Sequence, residues 1–296
     1  MRAWLLHIGE DLPVDGATRM FRYGYLAEAL AASGHQVLRW APTIRHRVKT
    51  HRFPHDQRVK VDEHYSIQFV HAPLYRRSTS LARLRTYRVL GRRFRELAQR
   101  EPTPDVIVAA IPSLEWADAA IAYGRSRRIP VVVDVRDLWP DVFSSALPAG
   151  TRGVGRLLLA PYRRLAQRVC RRANALSAVS ESYLDWALRL SGRARRVDDA
   201  VVPLGYELPE LPEEQMQREI AALQARGVDP RRPCCFFAGA LERHHDLDCV
   251  VDAARRLQSV GRGDVQFLIC GGGSRLEDLQ RRTRDLRQFH LLGWVD

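Results

Sequence analysis

The stretch PVVVDVRDLWPD, residues 130–141, joins a continuous apolar run to a cluster of charged and aromatic residues. Three successive valines are typical of a parallel β-strand that is covered on both faces of its sheet. The charged residues and Trp139 follow where such a strand would end. Because open α/β sheets bind ligands at the carboxyl ends of their strands, this stretch predicts both a fold and the position of a site.

Short apolar runs of the same kind recur over the first two thirds of the chain and alternate with helical patterns. The predicted strands are residues 3–8, 36–41, 66–71, 105–110, 130–135, 175–180 and 200–204. The predicted helices are residues 18–33, 80–99, 114–127, 155–172 and 181–190. This alternation indicates an α/β fold in which a parallel sheet carries helices on both faces.

The alternation is interrupted by GYELPELPEEQ, a segment with two prolines and four glutamates that is typical of a connection between domains. A second series then predicts strands at 234–240, 265–271 and 289–295, with helices at 247–260 and 274–287. We therefore expect two doubly wound domains. The first covers residues 1–205, and residues 206–296 form a partial second one.

The chain of 296 residues carries a formal net charge of +13, which implies an anionic partner. Much of this charge lies in two amphipathic helical patterns: residues 76–100 contain nine arginines and one acid, and residues 151–172 contain seven arginines and no acid. Such helices are typical of an anionic membrane surface, although a solvated outer face has the same composition. Nucleic acid is disfavoured, because the aromatic and glycine signatures of RNA-binding folds are missing.

Composition also indicates in which cellular compartment the protein works and whether it binds a metal or another cofactor. No apolar stretch approaches the roughly 18 residues of a membrane-spanning helix, and the N-terminal sequence does not predict export. The five cysteines form no Cys-x-x-Cys pair, and the ten histidines show no ligand spacing. We expect a cytoplasmic protein without a structural disulfide, a metal or another cofactor.

The cluster after the valine run supplies the candidates for chemistry. Buried carboxylates at Asp134 and Asp137 could position hydroxyl groups, act as a base or hold an arginine, and Trp139 could stack on a sugar face. Arg136 and Asp141 complete the cluster. A structural ion pair between Arg136 and one aspartate is the competing interpretation.

Two glycine-containing turns are candidates for binding phosphate. In ICGGGSRLEDL, residues 269–279, the backbone at Gly271, Gly272 and Gly273 could approach a phosphate closely, next to a helix N-terminus. The spacing is not that of the full dinucleotide fingerprint, so NAD is not implied. In LPVDGATR, residues 12–19, Gly16 precedes a helix that has Arg19 in its first turn. An ordinary tight turn and an ordinary helix start are the alternatives.

Taken in order, these motifs resemble bacterial family-4 glycosyltransferases of the GT-B fold. The closest resemblance is to O-antigen and capsule enzymes that transfer amino-deoxy sugars, in which D-x-R-D-L-W-P is a frequent signature. The segments that carry it are VDGATR (14–19), SGHQV (33–37), PDVIVAAIP (104–112), VVVDVRDLWPD (131–141), AVSESY (178–183), FFAGALERHHDLDCVVDAARRL (236–257) and FLICGGGSRLEDL (267–279).

The resemblance implies two Rossmann-like domains, of which the N-terminal one binds the acceptor and the C-terminal one mainly binds a nucleotide-sugar. It also implies no obligatory metal, and transfer with retention at the anomeric carbon. Asp134 and Asp137 are then the catalytic candidates. The substrate-binding candidates are Asp15, Gly16, Arg19, Arg136, Trp139, Asp141, Ser180 and Glu181. The nucleotide-sugar-binding candidates are Gly239, Arg243, His245, Gly271, Gly272 and Gly273.

Two departures from the family pattern shape the expectation. Ala240 and His245 stand where the family often has an arginine and a lysine that hold the diphosphate. The family's acidic pair would lie beyond Asp296, so we expect a truncated enzyme. The expected partners are a nucleotide-sugar, a lipid-linked glycan acceptor and the inner face of the plasma membrane. A GT-B nucleotide-sugar epimerase and a non-catalytic module that binds membrane or nucleic acid remain alternatives.

Overall fold

A computed structural model describes the chain except for residues 17–19, 47, 77–79, 143–151, 207–209, 243–244 and 296, and except for the side chains of residues 81 and 152–156. The chain divides into two compact units, Met1–Tyr206 and Glu207–Asp296. This division lies one residue from the predicted boundary. Each unit is built on its own parallel sheet.

The sheet of the N-terminal unit has eight strands in the order β10-β9-β8-β7-β1-β2-β6-β5. Only the pairing of β5 with β6 is antiparallel. The strands of this sheet are β1 (Arg2–Leu6), β2 (Gln36–Pro42), β5 (Gln57–Lys60), β6 (Tyr65–Val70), β7 (Val106–Ile111), β8 (Val131–Val135), β9 (Ala175–Ala178) and β10 (Ala200–Val201). A separate antiparallel pair is formed by β3 (Ile44–Arg45) and β4 (Thr50–His51).

Helices cover both faces of this sheet. They are α1 (Arg22–Ala32), α2 (Leu81–Ala98), α3 (Leu114–Arg127), α4 (Arg152–Arg172) and α5 (Glu181–Ser191). The α1 helix packs on one face, whereas the other four share the larger core on the opposite face. In that core Trp4, Trp40 and Phe94 pack edge to face with ring centroids 4.8–6.0 Å apart. Such geometry adds about 0.5–1.5 kcal/mol per pair to the effect of burial.

The order of the strands fixes where a site can form. From β1 the chain moves outward through β2 and β6, returns through α2 to β7 on the other side of β1, and then moves outward through β8, β9 and β10. The order in which the chain adds strands to the sheet therefore reverses between β1 and β7, although the two strands are parallel. In doubly wound sheets the crevice beside such a reversal, at the carboxyl ends of the strands, is where ligands bind.

The C-terminal unit has a parallel sheet of three strands in the order β11-β12-β13. They are β11 (Cys234–Ala238), β12 (Gln266–Cys270) and β13 (Phe289–Gly293). Its helices are α6 (Glu213–Ala225), α7 (Asp248–Ser259) and α8 (Leu276–Arg282). The central strand β12 is buried along its whole length, whereas most of β11 is exposed.

The predicted α/β class with doubly wound parallel sheets is confirmed. Four elements were missed. The α6 helix has no buried residue and only a narrow apolar stripe, Met216, Ile220 and Leu223. The short strands β3 and β4 and the edge strand β5 lack apolar runs. The helix predicted at 274–287 is shorter, because it spans only Leu276–Arg282.

No helix in the described ranges is long and apolar enough to cross a lipid bilayer.

Candidate functional site

A buried cluster of charged side chains lies at the carboxyl ends of β1 and β8, beside the reversal of strand order. Glu10 accepts hydrogen bonds from Arg39 at 2.7 Å and from Arg136 at 2.6 Å. The Arg39 residue is only 1% exposed, although β2 is otherwise an apolar strand at this point. Arg136 also donates to Nε2 of His7 at 2.7 Å, and the imidazole stacks on Tyr23. We call these five residues the switch-point cluster.

A second ion pair extends the cluster toward the edge of the sheet. The guanidinium of Arg22, at the start of α1, makes two hydrogen bonds of 2.9 and 3.0 Å to the carboxylate of Asp134. Ser177 in β9 donates to the same carboxylate at 2.6 Å. Arg22 also donates to the carbonyl oxygens of Val202 and Pro203. One arginine therefore joins α1, β8 and the segment after β10.

These contacts revise the expected partners of the DVRD stretch. Arg136 pairs with Glu10 and not with an aspartate of its own stretch, so the competing interpretation named the wrong acid. Asp134 is 1% exposed, and its two oxygens accept three hydrogen bonds. A carboxylate held in this way is suited to orienting Arg22.

The charges of the combined group do not cancel. Three arginines face two carboxylates, and the pKa of His7 lies well below its ordinary value because of burial and the nearby guanidinium groups. The imidazole is therefore neutral at pH 7. One positive charge exceeds the acidic charges of the group, whose members are His7, Glu10, Arg22, Arg39, Asp134 and Arg136. Such an excess favours an anionic ligand near the strand ends.

Asp137 differs from Asp134 in its surroundings. It is half-buried, and burial raises the pKa of its carboxyl group, opposed by a hydrogen bond from the backbone of Leu138 and by the charge of Arg83. A carboxyl group with a raised pKa beside a strand end is the kind of group that enzymes use to hold or transfer a proton.

Trp139 lies deeper in the fold than a sugar-stacking surface would, whereas Asp141 is half-buried. Trp139 is 4% exposed and packs edge to face on Tyr162 of α4, within the main core. Asp141 accepts a hydrogen bond of 3.0 Å from the indole of Trp186 in α5. Both residues attach the end of the DVRDLWPD stretch to helices, and their predicted contact with substrate stays a prediction.

The remaining N-terminal candidates lie in loops at the carboxyl ends of strands. Asp15 accepts hydrogen bonds of 2.8 and 2.6 Å from Arg52, and Gly16 has a φ of +68°, which favours glycine. Ser180 immediately precedes α5, and Glu181 pairs with Arg195 on the surface. Arg19 lies outside the described residues.

In the C-terminal unit the glycine loop after β12 runs against the loop after β11. Gly271 has a φ of +131°, and a Cβ atom there would lie 1.9 Å from the carbonyl oxygen of Gly239. A Cβ at Gly273 would lie 2.5 Å from the carbonyl oxygen of Leu241. Two of the three glycines are therefore required by the close approach of the two loops, whatever they bind. At Gly272 a Cβ would meet no atom within 4 Å.

The same loop leaves backbone donors available. Within the described part of the chain, the N–H groups of Gly272 and Gly273 have no hydrogen-bond acceptor, and both residues are exposed. The N–H and the hydroxyl of Ser274 donate to Glu242. His245 packs edge to face on Phe237, 5.5 Å between ring centroids. Arg243 lies outside the described residues.

The sequence reading missed most of the switch-point cluster. Glu10, His7 and Tyr23 come from a loop and a helix that carry no motif, and Arg22 pairs with a residue 112 positions away. One signal was present in the sequence, because Arg39 interrupts the apolar run QVLRWA. A charge inside a buried strand requires a buried partner.

All five cysteines are free, and Cys170 and Cys270 are buried. Among the residues that the structure describes, no three histidine, cysteine or acidic side chains come together as a metal ion would require.

Solved structures of glycosyltransferases have the same fold. The HepE protein of Anabaena, in complex with UDP and glucose, superposes with a TM-score of 0.59 at 15% identity, over 100% of this chain and 70% of that one. The catalytic domain of starch synthase IV from Arabidopsis thaliana, bound to ADP and acarbose, superposes with a TM-score of 0.63 at 13% identity. The match covers 99% of this chain and 74% of that one. WaaG, a glycosyltransferase involved in lipopolysaccharide biosynthesis, superposes with a TM-score of 0.57 at 12% identity. The match covers 100% of this chain and 70% of that one.

The fold is thus that of the GT-B glycosyltransferases. A family model described as a glycosyl transferase 4-like domain matches residues 20–205, which is more than half of the chain. The protein belongs to this glycosyl transferase 4-like family. No curated protein sequence matches it.

Proposed function

We propose that the protein transfers a sugar from a nucleotide-sugar donor to a glycan acceptor, with retention at the anomeric carbon. The observation that carries the proposal is the switch-point cluster with its excess positive charge, at the strand ends of a glycosyl transferase 4-like domain. A structure of HepE in complex with UDP-glucose, a nucleotide-sugar, supports the donor class. The donor we favour is a nucleotide-linked amino-deoxy sugar, because the D-x-R-D-L-W-P signature resembles that of enzymes which transfer such sugars.

In this proposal the two units have different tasks. The exposed N–H groups of Gly272 and Gly273 donate to the donor's diphosphate, where backbone donors bind anions without a side chain. The N-terminal unit holds the acceptor, and half-buried Asp137 orients the attacking hydroxyl group. A phosphate oxygen of the donor accepts the hydroxyl proton, and the protein stabilises the leaving diphosphate. No metal and no other cofactor take part.

The acceptor we propose is a lipid-linked glycan of cell-surface polysaccharide synthesis, reached from the inner face of the plasma membrane. In α4 Leu157 and Leu158 are 75% and 73% exposed on a helix that is rich in arginine. Exposed leucines beside cationic side chains suit a helix that lies in the interface of an anionic membrane. The basic α2 helix belongs to the same unit.

Turnover of Asp137→Asn tests the catalytic part. With a panel of nucleotide-sugars and a lipid-linked acceptor, we expect kcat to fall at least tenfold, or about 1.4 kcal/mol of transition-state stabilisation. Asp118→Asn is the control, because this acid pairs with Arg168 on the surface. Equal turnover of both variants would remove Asp137 from the mechanism. Activity that EDTA abolishes would refute the metal-free reaction.

Vesicle flotation tests the membrane part. The Leu157→Ser/Leu158→Ser variant should float less with vesicles that contain phosphatidylglycerol, because it loses the exposed apolar side chains but keeps every charge. Val197→Ser removes another exposed apolar side chain, outside α4, and is the control. If both variants float as the unaltered protein does, α4 is not the contact.

A further inference from the structure

The opposite edge of the N-terminal sheet, at the amino ends of its strands, carries a groove that the proposed reaction does not use. The groove has a volume of about 600 Å³. Arginine dominates its lining, which consists of Arg125, Arg164, Gln167, Arg168, Arg171, Arg172, Ala173, Asn174 and Arg196. We call it the arginine groove. Of the residues that the structure describes, no acidic one lines it.

Three packed elements build the groove. Arg164, Arg168 and Arg171 follow each other at helical spacing along α4, so they lie on one side of that helix. Arg125 comes from the last turn of α3, and Arg196 from the segment before β10. Asn174 fixes the floor, because its side chain accepts a hydrogen bond from the backbone N–H of Val131.

The positive charges of the groove are mostly uncompensated. Arg168 pairs with Asp118, and Arg196 donates to the carbonyl oxygens of Ala173 and Asn174. In the part of the chain that the structure describes, four further arginines of the groove have no carboxylate partner. These are Arg125, Arg164, Arg171 and Arg172.

Helix ends alone do not account for this arrangement. Arginines in the last turns of α3 and α4 offset the negative ends of the helix dipoles, which explains Arg125, Arg171 and Arg172. Arg164 lies two turns earlier, where the dipole has little effect, and like charges four residues apart, as at Arg164 and Arg168, destabilise a helix. An anion in the groove would offset this repulsion, because it attracts both guanidinium groups.

We infer that the arginine groove binds a multiply charged phosphate group. Guanidinium groups bind phosphate oxygens in pairs, and six of them around one cavity suit a ligand with more than one negative charge. The groove is separate from the switch-point cluster, because it lies at the amino ends of β8 and β9 and the cluster lies at the carboxyl ends of the same sheet. The phosphate comes either from a lipid headgroup or from a soluble polyphosphate.

Two probes on the full chain distinguish these sources. Inorganic tripolyphosphate, titrated by calorimetry, represents the soluble ligand. Vesicles with phosphatidic acid, whose phosphate carries more than one negative charge, represent the headgroup, and phosphatidylglycerol vesicles are the singly charged comparison. The test variants are Arg171→Gln/Arg172→Gln and Arg125→Gln/Arg164→Gln. The second pair keeps the last turn of α4 intact if the first pair unfolds that helix. Arg284→Gln/Arg287→Gln removes two exposed charges from the other unit and is the control.

We expect both groove variants to bind one of the probes at least tenfold more weakly than the control does, and to bind nucleotide-sugar as the control does. Loss of tripolyphosphate binding identifies a soluble ligand, and loss of vesicle binding alone identifies a headgroup. Equal binding by groove and control variants, or no binding of either probe by the unaltered protein, overturns the inference. Nucleotide-sugar binding is measured separately. If the protein proves not to be a sugar transferase, the comparison of groove and control variants therefore still tests phosphate binding by the arginine groove.

Discussion

The two units hold their strand ends together in opposite ways. The N-terminal unit uses charged side chains taken out of water, because Arg39 at 1% exposure and a Glu10 side chain at 3% meet at the carboxyl ends of β1 and β2. The C-terminal unit depends on close backbone approach, because Gly271 lets one loop touch the carbonyl oxygen of Gly239 in the next. The first arrangement depends on buried ion pairs, and the second on the lack of a side chain at Gly271.

Removing one acid should break the N-terminal arrangement. Glu10→Gln leaves two guanidinium groups around a neutral amide, and loss of one partner of a buried ion pair costs about 3–5 kcal/mol. Urea unfolding followed by tryptophan fluorescence measures this, because five of the six tryptophans lie before residue 207.

The matched control for this variant is Asp118→Asn, whose surface pair with Arg168 should contribute less than about 1 kcal/mol. If Glu10→Gln and Asp118→Asn unfold at the same urea concentration, the buried cluster is not what stabilises the N-terminal unit.

Adding one methyl group should break the C-terminal arrangement. Gly271→Ala forces a Cβ toward the carbonyl oxygen of Gly239 at a φ that disfavours alanine, and we expect a loss of about 3 kcal/mol. Gly272→Ala has open space and should change stability by less than about 0.5 kcal/mol. Hydrogen exchange of the β12 amides compares the two, and equal protection in both variants would contradict the steric account.

Acid should weaken the N-terminal unit through His7. Its pKa is lowered in the folded protein, so below pH 6.5 the unfolded chain takes up a proton that the folded chain does not. Stability is then lost as pH falls, by at most about 1.4 kcal/mol per pH unit for this one group. Urea unfolding at pH 7 and pH 5 should show a smaller change in His7→Gln than in His55→Gln, the exposed control. The same change in both would remove His7 as the cause.

Local pattern predicted the fold because apolar runs and helix stops are local properties. The run VVVDV reads as a strand whatever its neighbours are, and Gly34 ends the first helix pattern in the same way. The polar helix α6 shows the limit of this approach, because EEQMQREIAALQA buries no residue and follows two prolines. Side-chain propensity therefore supports its helicity, beside a narrow apolar stripe of which Leu223 packs on the core of its unit.

The candidate site was predictable in position but not in its contacts. Once the strands are predicted, the positions of their carboxyl ends are predicted too. The DVRD stretch was therefore placed correctly at the carboxyl end of a strand. The partners of Arg136 and Asp134 depend on which strands become neighbours, and Glu10 is 126 residues from Arg136. The three glycines predicted for phosphate have a second, steric reason at two positions, which only the neighbouring loop reveals.

Arg22 also bears on the order in which the N-terminal unit folds. Its side chain reaches Asp134 and the carbonyl oxygen of Val202, which are 112 and 180 residues away along the chain. Closing loops of that length is entropically costly, so we expect these bonds to form after β8 and the last strand have docked. An interaction that is absent from the folding transition state leaves the folding rate unchanged and slows unfolding. We therefore expect Arg22 to affect mainly the unfolding rate and so the lifetime of the assembled sheet.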